Sequence, residues 1–250
     1  MLSLLFLVFA AVHIGIWVWA FGEWNRQQRP VGLSLVLFGN LLLWYDNFRI
    51  GIGRFVGEGD LMQALSVPAF VWHWTILPIF VIVAGSILRL ADFEWARNKL
   101  VMGAFCVVAV VLFALDVPDA VSLLFGPVAG SPPVQLDPAC LADTLRYTTR
   151  VTADTLCDAH SSVTSYGPGP FVAIFMNVIM TGVGILLWVK RGWKWLALGT
   201  GAMFIFAGAG GGWKYGLPLA NFGEILFTLG VVSTLAHLGR RRMATVAARS

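Results

Sequence analysis

Charged residues are scarce in this sequence, and long apolar stretches take their place. Only 12% of the 250 residues are charged, whereas about a quarter are charged in a typical soluble domain. A helix of about 20 apolar residues crosses the hydrocarbon core of a bilayer. We therefore predict an all-α integral membrane protein, one domain over residues 1–250 that forms a seven-transmembrane-helix bundle. The seven stretches lie near residues 2–21, 31–50, 61–89, 100–125, 170–189, 195–212 and 218–238.

Positive charge is absent before the first apolar stretch, although a secretory signal peptide carries it there. The first stretch is therefore predicted to be a retained helix with its N-terminus outside. Basic residues collect in cytoplasmic loops, which favours an N-out, C-in protein that crosses the cell membrane several times. This orientation puts 12 of the 17 basic residues inside: Arg26, Arg29, Arg89, Arg97, Lys99, Lys190, Arg191, Lys194, Arg240, Arg241, Arg242 and Arg249.

Several sequence motifs that would specify a reaction are also missing. No apolar stretch carries His-x-x-x-His or His-Glu-x-x-His, so no zinc site is indicated. No lysine lies in the middle of a stretch, which excludes retinal bound as a Schiff base. No basic patch interleaved with aromatic residues occurs outside the inner rim, so nucleic acid is not an expected partner. We expect neither a metal nor a cofactor, and membrane lipids are the expected partners.

Cysteines are few, and their positions differ in kind. Cys106 lies inside the fourth apolar stretch, whereas Cys140 and Cys157 lie in the long loop 126–169. A pair of cysteines on the outer side of a membrane predicts a disulfide. A disulfide there would stabilise the loop by roughly 3 kcal/mol in the chain-entropy model. We interpret the loop as a cap over the outer face.

The interior of this cap has a weak helical pattern. Asp137 followed by Pro138 resembles a helix N-cap and first helical residue, and the pattern continues to about Asp158. One straight helix would separate Cys140 and Cys157 by about 25 Å, whereas a disulfide needs Cα atoms within about 7 Å. Either the segment folds back as a small hairpin or the two cysteines are unpaired.

Three ionisable residues within the apolar stretches are the predicted catalytic residues: Glu224, Asp46 and His73. A charge in hydrocarbon costs roughly 3 kcal/mol or more, so it rarely lies there without a partner or a task. Counting along each helix places all three in the outer half of the bilayer. Structural alternatives remain open for each: an ion pair of Glu224 with Lys214 or an arginine of the 51–60 loop, a water-exposed Asp46, and a structural hydrogen bond of His73.

Polar and aromatic residues nearby are predicted to bind a substrate. Asn40, Trp44 and Asn47 follow an i, i+4, i+7 spacing that places them on one helix face. Asn177 and Asn221 lie at similar depth in later stretches. The stretch 195–212 is rich in glycine, which permits close helix packing and leaves open a homodimer or a partner subunit there.

Three functions are compatible with this pattern. The first is an intramembrane enzyme that acts on a lipid or isoprenoid-type substrate from the outer leaflet, with Glu224 and Asp46 as acid and base and His73 as base or orienting group. The second is a non-catalytic subunit or assembly factor, in which the polar residues only hold helices together. The third is a small-molecule or proton-coupled transporter.

Overall fold

The computed structural model describes residues 1–129, 133–158, 161–166, 170–210 and 216–248. Helices dominate these ranges, and two short 3-10 turns, Glu94–Arg97 and Ala153–Thr155, accompany them. The α-helices are α1 Leu2–Arg26, α2 Val31–Val56, α3 Asp60–Ile76, α4 Ile79–Leu90, α5 Lys99–Phe125, α6 Phe171–Arg191, α7 Trp195–Gly210 and α8 Gly216–Ala247.

Five of these helices, α1, α2, α5, α6 and α8, are long and apolar enough to cross a membrane. A sixth candidate consists of α3 and α4 together, which meet at a bend of 45°. Helix α7 contains a shorter apolar segment, Trp195–Gly208. At this level the prediction of a helical protein with several potential membrane spans is confirmed.

Proline chemistry accounts for the bend between α3 and α4. Helix α3 ends at Ile76 and α4 begins at Ile79, so the break falls at Leu77 and Pro78. Because Pro78 has no amide hydrogen, it cannot bond the carbonyl four residues earlier, and its ring crowds the preceding turn. Pro68, in contrast, lies inside α3 without ending it. The bend lies one turn after His73.

Glycines bring the last two helices into close contact. A Cβ at Gly199 would overlap the carbonyl oxygen of Leu226, and Gly230 lies opposite both Gly199 and Trp195. Further along α7, Met203 meets Gly223, so α7 and α8 run antiparallel. Small residues therefore serve packing within the chain. Gly201 and Gly208 have open space around them, whereas Gly211 and Gly212 lie outside the described residues.

The cap is built from strands, and the prediction of helix there was wrong. Strands β1 Asp137–Leu141 and β2 Thr144–Thr148 form an antiparallel hairpin, and β3 Arg150–Val151 pairs with β4 Thr164–Ser165. The alternation in Thr144-Leu145-Arg146-Tyr147-Thr148 is the period-2 pattern of a strand. It outweighs the Asp-Pro signal because Leu145 and Tyr147 are buried.

The fold-back satisfies the geometry that a disulfide requires. Cys140 and Cys157 are bonded, and their Cα atoms are 4.7 Å apart. The predicted disulfide is therefore confirmed, by way of the hairpin alternative. Its 17-residue separation ties β1 to the segment that follows the Ala153–Thr155 turn.

One end of the helix bundle supports the cap. The carbonyl oxygen of Leu145 approaches α2 so closely that a Cβ at Gly53 would overlap it. The hydroxyl of Tyr147 accepts a hydrogen bond from the Gly59 amide at 3.0 Å. The amide of Leu2 donates to Asp143 at 2.7 Å. The start of α1, the end of α2 and the start of α3 thus meet at the cap.

Candidate functional site

A cavity of about 640 Å³ lies between the cap and the helix ends that support it. Helices α2, α3, α5, α6 and α8 form its floor and walls, and strands β2, β3 and β4 contribute side chains from the cap. All three predicted catalytic residues line it: Asp46 from α2, His73 from α3 and Glu224 from α8. The structure therefore brings together groups that are far apart in the sequence.

Asp46 is paired with a cation. Its Oδ1 accepts hydrogen bonds from Arg49 Nη2 at 2.5 Å and from Arg49 Nε at 3.2 Å. Both residues are buried, and Arg49 Nη1 also donates to Ser66 Oγ and to the carbonyl oxygen of Tyr147. A buried carboxylate is tolerated when its charge is matched and its hydrogen bonds are made. The pair also ties the cavity floor to strand β2.

Glu224 has a different environment, because its partners are amides. The Asn221 amide lies 3.5 Å from Glu224 Oε2 and 3.2 Å from Asn47 Oδ1. Among the described residues, no cation lies within ion-pair distance of the Glu224 carboxylate. Arg54, the basic residue of the 51–60 connection, pairs with Asp143 instead, and Lys214 lies outside the described residues.

His73 is held so that one ring nitrogen is engaged and the other is available. Its Nδ1 is 3.0 Å from the carbonyl oxygen of Ala69. A carbonyl can only accept, so Nδ1 carries the hydrogen in the neutral ring and Nε2 carries the lone pair. Within the described part of the chain, no hydrogen bond to Nε2 is found. In the neutral ring, Nε2 of His73 is therefore free to accept a hydrogen bond or a proton.

Several predicted substrate-binding residues are directed elsewhere. Asn40 bonds to His13, with Oδ1 2.7 Å from the ring Nδ1 and Nδ2 donating to the backbone oxygen of His13 at 2.9 Å. Asn177 donates to the carbonyl oxygen of Thr200, and Trp44 stacks on Phe48. These three residues do not line the cavity, and their role in binding a substrate stays a prediction.

Helix rotation is the physical reason for the difference. Depth along a helix follows from residue counting, but the direction of a side chain follows from which neighbour the helix packs against. On α2, Asn40 faces α1, whereas Asp46 lines the cavity. Asn221 also lines it, and Asn47 lies behind Asn221. The last two remain candidates for orienting a ligand.

Sequence reasoning missed the cationic side of the cavity. Arg146 and Arg150 project from the cap and line it, together with Tyr166. Burial lowers the pKa of Arg146 to about 10, and the nearby positive charge of Arg49 contributes to the same shift. The guanidinium therefore stays protonated at neutral pH. The alternating pattern around Arg146 could have predicted a strand with this residue on its polar face.

Asp116 of α5 also lines the cavity, although it is not among the predicted site residues. It stands three residues before Asp119, a buried carboxylate whose Oδ2 has no hydrogen-bond partner in the described ranges. Within those ranges, no group of three or more His, Cys, Asp or Glu residues is arranged to hold a metal ion. Hydrogen bonding and proton transfer are the chemistry that the lining residues offer.

No protein-family model matches the chain, and no curated protein matches it significantly. Four kinds of group line the site. It combines an ion-paired carboxylate, a carboxylate held by amides, an imidazole with a free nitrogen and two arginines of the cap.

Proposed function

We propose that this protein is an intramembrane enzyme that acts on a lipid or isoprenoid-type substrate from the outer leaflet. One observation carries the proposal: Glu224 without a cationic partner among the described residues and His73 with a free Nε2 line the same cavity. A carboxyl group and an imidazole in one water-restricted pocket are the usual components of general acid–base catalysis.

The roles of the lining residues follow from their partners. His73 Nε2 accepts a proton from the substrate or from a water molecule, and Glu224 donates or returns one. Asp46 is held by Arg49, so its contribution is electrostatic, and the pair leaves the cavity floor beside His73 without net charge. Asn221, with Asn47 behind it, orients the reacting group near Glu224.

Entry from the side of the bundle suits a lipid substrate. Apolar residues occupy part of the cavity wall, including Leu77, Ala173 and Leu217. Helix α5 packs mainly on α3 and α4 and meets α6 over only a small area. A hydrocarbon chain can therefore enter between α5 and α6 while its polar end reaches the carboxylates.

A seven-span, N-out and C-in arrangement in the cell membrane is part of the proposal. Two contacts support it: Leu2 bonds to the cap, whereas Arg240 lies 3.8 Å from Glu23, near the opposite end of α1. A chain that begins at one end and finishes at the other crosses an odd number of times. If α3 and α4 together form one crossing, the six candidates of sufficient length leave α7 as the seventh. The positive-inside rule then places the cap outside.

Turnover by a Glu224→Gln variant tests the enzyme proposal. Purified protein would be incubated in vesicles of phosphatidylethanolamine and phosphatidylglycerol that contain farnesyl phosphate, and all lipids would be followed by mass spectrometry. Wild-type protein should convert one of them, and Glu224→Gln should lower the rate by roughly 10²-fold or more.

Glu58→Gln, which removes an exposed carboxylate outside the cavity, is the matched control. Undiminished turnover in Glu224→Gln would remove the assignment.

The two alternatives predict different results. The exposure of α5 favours a non-catalytic subunit. Only 11% of the most apolar 18-residue segment of α5 is buried within this chain, and a partner could cover the rest. That function predicts no turnover, and loss of stability and partner binding together in Glu224→Ala and His73→Ala. A transporter predicts that the cavity becomes accessible from both sides of the membrane in turn.

A further inference from the structure

Arg146 is a cation for which the described part of the chain supplies no hydrogen-bond partner. It projects from β2 into the cavity, and within the described residues no hydrogen bond of its guanidinium is found. Asp46 attracts its charge, but Asp46 Oδ1 is already taken by both Arg49 nitrogens. A guanidinium has five N–H donors, and leaving them without acceptors at a partly buried position is unfavourable.

Other arginines of the same protein show what a structural role looks like. Arg89 donates to the carbonyl oxygens of Ala96 and Asn98, and Arg191 donates to those of Ala91 and Asp92. Each of these side chains ties two segments together through backbone oxygens. Arg146 makes no such bond among the described residues, so its donors remain available to a ligand.

The free positive and negative side chains of the cavity lie on different secondary-structure elements. The cap contributes cations, Arg146 and Arg150, whereas the helices contribute the carboxylates Asp46, Asp116 and Glu224. Arg49 is engaged by Asp46, which leaves the two cap arginines as the uncompensated positive side. An amphiphile with a negative end would be attracted to the cap and repelled from the carboxylates.

We infer that the cap end of the cavity binds an anionic oxygen group, a phosphate or carboxylate, and that Arg146 is its principal ligand. The inference rests on the proposed function in one respect, namely that the ligand is a lipid-type substrate. The planar guanidinium matches two anionic oxygens at once, which a lysine cannot do. Thr148 and Thr149 line the same side and supply hydroxyl donors to the remaining oxygens.

The inference implies one pose for such a substrate. Its head group lies against the cap, its hydrocarbon part lies along the apolar wall formed by Leu77 and Leu217, and the bond nearest the head group lies beside His73 and Glu224. A cationic head group is disfavoured because Arg146 and Arg150 would repel it.

Binding measurements on the purified full-length protein in a neutral detergent test this inference. The probes are farnesyl phosphate, farnesol and inorganic phosphate, measured by titration calorimetry. Wild-type protein should bind farnesyl phosphate at least tenfold more tightly than farnesol. Arg146→Gln should lose that tenfold preference, and Arg146→Lys should keep only part of it. Arg54→Gln removes an equal charge from the same face outside the cavity, and it should bind as wild type does.

Thermal unfolding separates a ligand site from a structural one. If Arg146 serves the ligand, Arg146→Gln in the absence of probe should melt at the wild-type temperature or above it. A lower melting temperature together with an unchanged preference for farnesyl phosphate would overturn the inference. Inorganic phosphate that binds as tightly as farnesyl phosphate would support the arginine chemistry and assign the site to a free anion.

The same measurements distinguish this inference from the proposed function. Glu224→Gln should still bind farnesyl phosphate with wild-type affinity or better, because it removes a negative charge from the cavity. Binding without turnover would uphold the anion site and contradict the enzyme. Turnover of a neutral lipid by a protein that does not prefer farnesyl phosphate over farnesol would uphold the enzyme and overturn the anion site.

Discussion

At the scale of single residues, the cavity contains two carboxylates in unlike surroundings. Asp46 accepts two hydrogen bonds from one arginine, whereas the Glu224 carboxylate meets only amides among the described residues. An ion-paired carboxylate keeps its charge, and one that lacks a cation is free to exchange a proton. In the proposed enzyme, this difference suits Asp46 to a supporting role and Glu224 to a reacting role.

Removing Arg49 tests the supporting role of the ion pair. Arg49→Met leaves Asp46 as an uncompensated buried charge, so we expect a loss of about 3–5 kcal/mol in the free energy of unfolding. The measurement is reversible unfolding of the purified protein in mixed micelles. Replacing both partners, with Asp46→Leu beside Arg49→Met, should restore a substantial part of the loss. Equal instability of the single and double variants would show that the pairing itself matters little.

At the scale of secondary-structure elements, the close approach of α2 to β2 holds the cap in place. Gly53 is the point of contact, because any side chain there would overlap the carbonyl oxygen of Leu145. Arg49 Nη1 bonds to the carbonyl oxygen of Tyr147 two residues further along the strand. The position of Arg146 between these two residues is therefore fixed by contacts on both sides.

A Gly53→Ala substitution should displace the cap from α2. Overpacking of this kind costs about 1–3 kcal/mol, and the cap should become more susceptible to proteolysis between the strands. Gly15→Ala in α1 is the matched control, because nothing lies within 4 Å of a Cβ at that position. The measurement is the rate of cleavage by a soluble protease, followed by mass spectrometry. Equal cleavage rates in the two variants would contradict the proposed docking.

Elements differ in how far the sequence predicts them. Long apolar stretches anticipate most of the helices well, and Pro78 predicts the break after α3. Membrane helices are readable because each satisfies its own backbone hydrogen bonds locally. The cap was mistaken for helix because the Asp137-Pro138 signal was given more weight than the short alternation in 144–148, whose strand also depends on pairing with β1 and on support from α2.

Residue counting predicted how far along each helix the candidate residues lie, but not the direction in which each side chain points. Asp46, His73 and Glu224 were found because ionisable residues stand out in apolar stretches, and they do line one cavity. Asn40 does not line the cavity, because it faces His13 on another helix. Arg146 was missed because its position over the cavity depends on the fold of the cap.

At the scale of the whole molecule, the two ends of the bundle differ. The cap and the cavity occupy one end, with the acidic residues Asp46, Asp116 and Glu224 at its floor. The other end carries Arg240 beside Glu23 and a cleft lined by Arg89, Arg97 and Arg242. The proposed orientation places that basic end in the cytoplasm, so that the cavity collects its substrate from the outer leaflet.

Thiol labelling of intact cells tests the central claim that the polar site opens under the cap on the outer side. Ala220 lines the cavity, so Ala220→Cys, in a Cys106→Ser background that keeps the disulfide, should react with a membrane-impermeant maleimide added outside. Thr234→Cys, a fully buried position in the same helix, is the control and should stay unlabelled. Labelling of Ala220→Cys that farnesyl phosphate slows is the predicted result. An unreactive Ala220→Cys, or one that reacts only after the membrane is opened, would contradict the account.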